Sequence, residues 1–378
     1  MMELQTYIRA HADDLLKDLA TLIQIPSVEG EPAPDAPYGS EVARCLHETL
    51  ALCEKLGFRT VNMDNRVGWC EYGEGDEMIA VLGHLDVVPA GDGWQAAEPF
   101  SGDVKDGRIY GRGTMDDKGP TVAALYALAA LKDAGFVPSR RIRILFGTNE
   151  ETGCQDMVWY LEHGGEVPVM GFTPDGEYPI INGEKGIMNC VYARKLNQTG
   201  AYRLTRIEGG TASNVSPAYA VAELACPTEA ANRITLDKVT ATPIDGGIRV
   251  EAEGISAHGS TPEQGENAIG RLALALTQLP LEGELADCMA FLADRIGLET
   301  RGESLGLAMR DDLSGDLTVN LGVAAFAEDT LSLTLSVRYP VTKTYDEAHP
   351  RLERAFSLGG FHETQMKHKA AIYMPPES

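Results

Sequence analysis

Apolar positions in the first half of the chain alternate between helical spacing and short continuous runs. A first amphipathic helix is predicted by six apolar residues that recur at helical spacing: Leu4, Ile8, Leu15, Leu19, Leu22 and Ile23. Residues 40–58 repeat this pattern, with Ser40 as a plausible N-cap and Gly57 just past the end. The runs "MIAVLG" (78–83) and "RIRILFG" (141–147) have the length of buried strands, and the apolar segment 119–136 between them predicts a helix.

This strand–helix–strand order predicts a β-α-β unit, so we expect an α/β domain with a mostly parallel sheet. After "INGEKG" (181–186) the pattern changes to alternation, and Leu331, Leu333, Leu335 and Val337 fall on one face of a predicted strand. We predict helices at "SPAYAVAELA" (216–225) and "NAIGRLALALTQL" (267–279), and therefore an α+β module with an antiparallel sheet. The predicted boundaries are 1–185 for the N-terminal part of the first domain, 186–373 for the inserted module and 374–378 for the start of a return to the first domain.

The composition and net charge of the chain limit the classes of molecule that it is expected to bind. The chain has 378 residues, 44% of them hydrophobic and 23% charged, which is typical of a soluble globular protein of two domains. The net charge of −24 argues against nucleic acid and anionic membranes as partners. The seven cysteines are scattered without a C-x-x-C pair, and the N-terminus lacks the apolar core of a signal peptide, so we expect reduced thiols and a cytoplasmic location.

Four polar clusters stand where predicted strands end or a helix begins. They are His84-Leu85-Asp86, Asp116-Asp117 in "GRGTMDDKGP", Glu150-Glu151 in "GTNEETG" and Asp175 in "FTPDGEYP". Ligands of parallel sheets gather at the carboxyl ends of the strands. One imidazole with several carboxylates suits Zn²⁺ or Mn²⁺, and a cation relieves the repulsion between adjacent carboxylates. A single acidic pair would more often be a solvated loop, so the prediction of a metal site depends on all four clusters together.

These motifs, with "ISAHGSTPEQGENAI" (255–269), resemble a family of zinc exopeptidases and deacylases. The family includes acetylornithine deacetylase, succinyl-diaminopimelate desuccinylase, aminoacylase and the cytosolic zinc dipeptidases. The resemblance covers nearly the whole chain, and the combination is most similar to the bacterial broad-specificity dipeptidases of the Xaa-His or carnosinase-like branch. It implies a zinc-exopeptidase catalytic domain with an inserted lid domain.

The resemblance also implies a role for each site residue. His84 and Asp175 would bind a first metal, Asp116 would bridge two metals, and Glu151 would bind the second. Asp86 would fix the imidazole tautomer by accepting the other ring N–H of His84.

Further roles implied by the resemblance concern catalysis and the lid. Glu150 would be the general base, and His258 would reach from the lid to stabilise the oxyanion. Asn214 and Arg338 would hold the substrate and its C-terminal carboxylate, although a structural role on a strand is nearly as plausible for both. The resemblance further implies a cis peptide between Asp116 and Asp117. The implied cofactor is a pair of Zn²⁺ ions, with Mn²⁺ or Co²⁺ as alternatives.

Three functions stay open from the sequence. The first is a metallo-dipeptidase acting on small peptides, the second is an N-acyl amino acid deacylase of the same family, and the third is a non-catalytic metal- or peptide-binding relative. The presence of Glu150 argues against the third, because a pure binder has no need of that carboxylate. The length of the inserted module predicts a monomer whose own lid supplies His258.

A last expectation concerns the end of the chain. The family pattern continues beyond "KAAIYMPPES" with further strands and a final histidine ligand, which this sequence does not show. We therefore expect a second metal site reduced to Asp116 and Glu151, at most one tightly bound metal, and little or no peptidase activity.

Overall fold

The computed structural model describes residues 4–91, 93–176 and 179–377. The described residues form two compact units that divide between Ile180 and Ile181. Unit 1 comprises the residues up to Ile180, and unit 2 comprises those from Ile181 onward.

Helices and strands alternate in unit 1, whereas strands dominate unit 2. The helices are α1 Leu4–Ala10, α2 Ala12–Ile23, α3 Ser40–Lys55, α4 Lys118–Asp133 and α5 Gln155–Glu162 in unit 1, and α6 Ala268–Leu276, α7 Gly283–Arg295 and α8 Tyr345–Leu358 in unit 2. Short 3-10 helices span Thr228–Arg233 and Pro262–Gln264. None of the described helices combines the length and the apolar composition needed to cross a bilayer.

The strands of unit 1 are β1 Arg59–Met63, β2 Val67–Tyr72, β3 Met78–His84, β4 Asp103–Lys105, β5 Arg108–Tyr110, β6 Arg141–Gly147 and β7 Met170–Phe172. Those of unit 2 are β8 Gly183–Glu184, β9 Gly186–Lys195, β10 Arg203–Gly209, β11 Val215–Ser216, β12 Tyr219–Ala225, β13 Val239–Ile244, β14 Gly247–Glu253, β15 Ala257–His258, β16 Arg310–Asp311, β17 Gly315–Asp316, β18 Thr318–Ala327, β19 Thr330–Tyr339, β20 His362–Lys369 and β21 Ile372–Tyr373.

The main sheet of unit 1 has the strand order β1-β2-β6-β3-β7. β3 runs parallel to both β6 and β7, and α4 lies between β3 and β6 in the chain, so the predicted β-α-β unit is confirmed. The sheet is mixed rather than mostly parallel, because β1 and β2 join it in antiparallel pairing. That hairpin turns at Asp64 and Asn65, whose φ angles of 53° and 54° are typical of a tight hairpin turn.

The core of unit 1 places three site segments at one edge of the sheet. β3 and β6 are almost fully buried and end at His84 and Gly147, so the polar loops that follow them begin at adjacent positions. α4 starts at Lys118, whose Nζ is buried and donates to the carbonyl oxygens of Leu22 (2.9 Å) and Ile25 (2.8 Å). These two bonds fix the start of α4, and with it the Asp116–Asp117 segment just before the helix.

Unit 2 contains an eight-stranded antiparallel sheet with the order β13-β14-β12-β10-β18-β19-β9-β20. The predicted face of β19 is confirmed, since Leu331, Leu333, Leu335 and Val337 are all fully buried. The predicted helix at 216–225 is wrong, because residues 219–225 form the strand β12 between β10 and β14. The alanines in this segment suggested a helix. In the strand, alternate side chains are buried in the core, so tertiary packing outweighs helix propensity here.

Candidate metal centre and substrate-binding residues

His84 is the last residue of β3, and its imidazole is 3% exposed. Its Nδ1 lies 3.0 Å from the backbone carbonyl oxygen of Asp86. A carbonyl oxygen only accepts hydrogen bonds, so Nδ1 carries a proton. Nε2 is then the atom that faces the acidic side chains, at 2.9 Å from Asp116 Oδ1 and 3.5 Å from Asp175 Oδ2. This orientation is the one that a metal-binding imidazole needs.

Asp86 contributes to the site in two ways. Its carboxylate Oδ1 is 3.5 Å from His84 Nδ1, farther than its own backbone carbonyl. The two carboxylate oxygens instead accept the backbone N–H groups of Glu150 (3.1 Å) and Glu151 (3.0 Å). The role expected of the Asp86 side chain, to fix the imidazole tautomer, therefore belongs geometrically to its main chain, and the side chain orients the Glu150–Glu151 loop.

The Asp116–Asp117 peptide is cis, as the resemblance implied. It directs the two side chains differently: the Asp116 side chain is 59% exposed beside the imidazole, whereas Asp117 is fully buried. Asp117 Oδ2 accepts the backbone N–H of His84 (3.2 Å) and the Thr121 hydroxyl (2.9 Å). Burial raises the pKa of Asp117 to about 7. Asp116 thus faces the candidate metal position, and Asp117 supports the backbone behind it.

The Glu150–Glu151 loop follows β6 and is shaped by a residue that the sequence analysis did not single out. Asp156 is 1% exposed, and its Oδ2 accepts the backbone N–H groups of Thr148 (2.6 Å) and Asn149 (3.2 Å). Burial raises the pKa of Asp156. An acidic residue in the first turn of a helix was the only available signal, and such residues are common.

Five of the predicted residues converge in unit 1. Ligand atoms of His84, Glu150 and Asp175 all lie within 4.8 Å of one another, and so do those of His84, Asp116 and Glu151. One buried imidazole among carboxylates is a donor set that fits a divalent ion such as Zn²⁺ or Mn²⁺. The grouping differs in one respect from the roles implied by the resemblance, because it places Glu150 among possible ligands.

The electrostatics of this cluster are those of a site that attracts positive charge. Burial lowers the pKa of His84, but hydrogen bonds to Asp116 and Asp86 outweigh burial and raise it to about 11. Burial and the nearby Asp116 carboxylate raise the pKa of Glu151 to about 7. Burial also raises the pKa values of Glu150 and Asp175, with further contributions from neighbouring carboxylates. A cation bound among these groups would relieve the same repulsion.

Arg112 is a second residue near the cluster that the sequence analysis passed over. Its Nη2 donates to the carbonyl oxygens of Pro89 (3.3 Å) and Ala90 (3.1 Å), and its guanidinium lies 5.8 Å from the centre of the Trp94 ring. The hydrogen bond from His84 and the charge of Arg112 both lower the pKa of Asp116. Arg112 lies within the quoted motif "YGRGTMDDKGP", but nothing in the sequence separated it from a surface arginine.

Unit 2 contains Asn214 and Arg338, predicted to bind substrate, and His258, predicted to stabilise the oxyanion. His258 pairs with Val215 in the two-stranded ribbon β11–β15, and the adjacent Gly259 N–H donates to the Asn214 carbonyl oxygen at 2.7 Å. Arg338 on β19 is half-buried, and burial lowers its pKa. Burial and the Arg338 charge also lower the pKa of His258, so this imidazole is neutral at pH 7.

The imidazole of His258 has a defined tautomer. Its Nδ1 lies 2.6 Å from the Ser260 hydroxyl and accepts the Ser260 backbone N–H at 3.4 Å. Because a backbone N–H only donates, Nδ1 is an acceptor and Nε2 carries the proton. His258 therefore presents a hydrogen-bond donor at Nε2.

The sequence and the fold are both similar to those of known proteins. The sequence pattern of peptidase family M20/M25/M40 matches residues 80–350. A Beta-Ala-Xaa dipeptidase of Lactobacillus delbrueckii subsp. lactis is 37% identical over 344 residues, covering 88% of this chain and 73% of the relative. The Bacillus subtilis protein YtjP is 36% identical over 375 residues, covering 95% of this chain and 81% of its own length. The crystal structure of human carnosine dipeptidase 1 is similar in fold, with a TM-score of 0.51 at 16% identity over 99% of this chain and 81% of that one.

Proposed function

This chain belongs to peptidase family M20/M25/M40, which makes it a hydrolase of peptide bonds, and we propose that it hydrolyses dipeptides with the help of metal bound at the His84 cluster. The observation that carries the proposal is the convergence of one buried imidazole and four carboxylates in unit 1. The chemistry that a divalent cation supplies when bound there is polarisation of a carbonyl oxygen and a lower pKa for water.

Different side chains of unit 1 are proposed for metal binding and for proton transfer. We assign His84, Asp116, Glu151 and Asp175 to metal binding and Glu150 to proton transfer. The Glu150 carboxylate takes the proton of the attacking water and delivers it to the leaving amine. Its position depends on the Asp86 carboxylate, which holds the backbone N–H of Glu150 at 3.1 Å. Asp86 is therefore a positioning residue for the general base.

The side chains of unit 2 suit the substrate's oxygens. His258 carries its proton on Nε2, and that N–H can donate to the oxyanion that forms on the scissile carbonyl. Arg338 offers a guanidinium whose buried Nε has no hydrogen-bond partner in the described part of the chain. A guanidinium fits a carboxylate in planar, two-bond geometry, so we assign Arg338 to the C-terminal carboxylate of the dipeptide and Asn214 to the substrate backbone.

Further expectations from the sequence concern the metal ion, the oligomeric state and the location of the protein. We propose Zn²⁺ as the ion, with Mn²⁺ or Co²⁺ able to replace it, and a monomer that acts in the cytoplasm without a nucleic-acid or membrane partner. The net charge of −24 supports the exclusion of anionic partners. The scattered spacing of the seven cysteines supports a reducing compartment.

Substrate assays on the metal-loaded protein test the proposal. The sequence alone predicted little or no activity, but the grouping of Glu151 with His84 as well as Asp116 supports an active site. We therefore expect turnover of dipeptides and much slower turnover of N-acyl amino acids, because the latter lack the free α-amino group of a dipeptide. Preferential release of acyl groups would replace the dipeptidase with a deacylase. No turnover of either class by a protein with a full complement of metal would refute a hydrolytic function.

A further inference from the structure

The short ribbon β11–β15 carries two of the proposed substrate-binding residues but has little structure of its own. Each strand has two residues, and Asn214 directly precedes β11 while His258 ends β15. So short a ribbon is not stable alone. Backbone bonds anchor its flanks, from Ala268 N to Pro217 O (3.0 Å) and from Gly254 N to Ala218 O (2.8 Å). Within the ribbon, Val215 N donates to Ala212 O (3.4 Å) and Gly259 N donates to Asn214 O (2.7 Å). These bonds do not tie the segment 213–216 to the large sheet, so other contacts must do so.

One buried amide makes those contacts. Asn320 lies on β18 and is 1% exposed. Its Nδ2 donates to the Ser213 carbonyl oxygen at 2.8 Å, and its Oδ1 accepts the hydroxyl of Ser216, also 1% exposed, at 2.6 Å. The two bonds bracket Asn214, and Val215 between them pairs with His258. We propose that Asn320, acting with Ser216, is the positioning residue that holds Asn214 and His258 in place for substrate.

The chemistry of the side chain is specific to this task. The segment offers an acceptor at Ser213 and a donor at Ser216, so the partner must donate and accept at once, as an amide does. An aspartate in place of Asn320 would lose the donor, and an alanine would lose both groups. The segment also packs closely on β18: a side chain at Gly322 would place Cβ 2.4 Å from the carbonyl oxygen of Ala212.

The burial of Asn320 and Ser216 means that they can position other residues but cannot bind substrate directly. Asn320 and Ser216 have almost no exposed surface, so neither can touch a substrate, and their effect must pass through Asn214 and His258. Both residues line a cavity of about 230 Å³ in unit 2. Removal of the amide leaves a space beside this cavity, and we expect a water to occupy it and hydrogen-bond to the Ser213 carbonyl, which favours a folded variant over an unfolded one.

The test uses the metal-loaded full chain and rests on the proposed function for its kinetic arm only. We expect Asn320→Ala to lower kcat/KM for a dipeptide by about 10- to 100-fold, the order expected when substrate-positioning groups shift by about an ångström. Ser216→Ala should lower it less, and Ser216→Thr, which keeps the hydroxyl, should restore most of the loss. Metal content should stay unchanged, because the ligands are in unit 1.

Ser336→Ala is the matched control. Ser336 lies opposite Asn320 on β19 and is equally buried, but its hydroxyl has no hydrogen-bond partner in the described part of the chain. Its loss should leave kcat/KM within about twofold. A lower melting temperature for Asn320→Ala with unchanged kcat and KM would overturn the proposal, because it would show a purely structural role. If Asn320→Ala does not fold, the single-atom deletion in Ser216→Ala and its threonine rescue decide the matter.

A second readout is independent of turnover. In an NMR spectrum of imidazole nitrogens, the wild-type His258 should show one tautomer, with the proton on Nε2. In Ser216→Ala and Asn320→Ala that signal should shift and broaden, because Val215, which pairs with His258, is no longer held in place, while the Ser260 bonds keep the tautomer. An unchanged His258 signal in both variants would overturn the positioning role even if the enzyme assay failed for lack of the right substrate.

Discussion

His84 in unit 1 and His258 in unit 2 both end a strand, but their hydrogen-bond partners use the two ring nitrogens in opposite ways. The Asp86 carbonyl oxygen holds the proton of His84 on Nδ1 and leaves Nε2 facing the carboxylates. The Ser260 backbone N–H makes Nδ1 of His258 an acceptor and leaves the proton on Nε2. One imidazole is therefore arranged to bind a cation, and the other is arranged to donate to a developing anion.

The structure around the two imidazoles differs as much as their hydrogen bonds do. His84 ends a seven-residue strand in the middle of a sheet, and its backbone N–H is bound by the buried Asp117. His258 ends a two-residue strand in a ribbon outside the large sheet, and side-chain hydrogen bonds hold that ribbon. Unit 1 therefore fixes its site by core packing and acidic side chains, whereas unit 2 depends on a few neutral polar contacts. Substitutions that act on one unit should leave the other intact.

Removal of metal should have the largest effect, and only on unit 1. We expect a chelator to abolish dipeptide hydrolysis, because the carboxylates alone cannot polarise the scissile carbonyl, and we expect added Zn²⁺ or Mn²⁺ to restore it. The measurement is turnover before and after dialysis, with the NMR signal of His258 as the control that should not change. Full turnover in protein shown by mass spectrometry to be free of metal would contradict this prediction.

Glu150→Gln should lower kcat by about 10²- to 10⁴-fold, the usual contribution of a general base, because the amide keeps the shape of the side chain but cannot accept the proton. Metal content should remain near that of the wild type. Glu151→Gln is the matched comparison and should lose metal. If both variants lose metal equally, Glu150 is a ligand in the group with His84 and Asp175 and not the base.

Arg338→Met tests whether unit 2 binds the carboxylate of the substrate. Loss of charge-assisted hydrogen bonds to the substrate carboxylate should raise KM for a dipeptide by about 10- to 100-fold, with a smaller change in kcat. A dipeptide amide lacks that carboxylate, so the wild type and the variant should handle it alike. An equal loss on the free and the amidated peptide would show that Arg338 supports the strand and does not bind the carboxylate.

The smallest expected effect is electrostatic. Burial and the charge of Arg338 lower the pKa of His258, so Arg338→Met should raise that pKa towards its ordinary value. Because the folded-state pKa is depressed, His258 disfavours the folded state as pH falls below the ordinary histidine pKa, and the variant should lose less stability on acidification. An NMR titration of His258 measures the shift. A fall in the pKa would show that the cationic side chain is not what depresses it.

The sequence was sufficient where a residue follows a strongly patterned element. His84, Glu150 and Glu151 follow apolar runs that could only be buried strands, and parallel pairing then brings their ends together. The hairpin β1–β2 was missed because β1 is short and largely exposed, and its turn at Asp64-Asn65 is a weak signal without a glycine. The strand β12 was missed because alternating alanines fit a helix equally well.

The supporting residues could not be predicted from the sequence at all. Asp156, Asn320 and Arg112 act through partners that lie far from them in the chain or through backbone groups that any residue possesses. Composition and spacing report which side chains are present, but not which backbone N–H or carbonyl each will reach. The two contacts of Asp86 could not be predicted for the same reason: its carbonyl oxygen bonds to His84, and its carboxylate bonds to the backbone of Glu150.

The backbone carbonyl oxygen that accepts the Nδ1 proton of His84 affects how this site tolerates mutation. Every amino acid carries the same main-chain oxygen, so no codon change at position 86 can delete the acceptor of the Nδ1 proton. A substitution there removes the carboxylate that orders the Glu150–Glu151 loop and helps to raise the pKa of His84, while the Nδ1 proton of the imidazole keeps its acceptor. The orientation of the His84 ring is therefore less sensitive to point mutation at position 86 than the Glu150–Glu151 loop is.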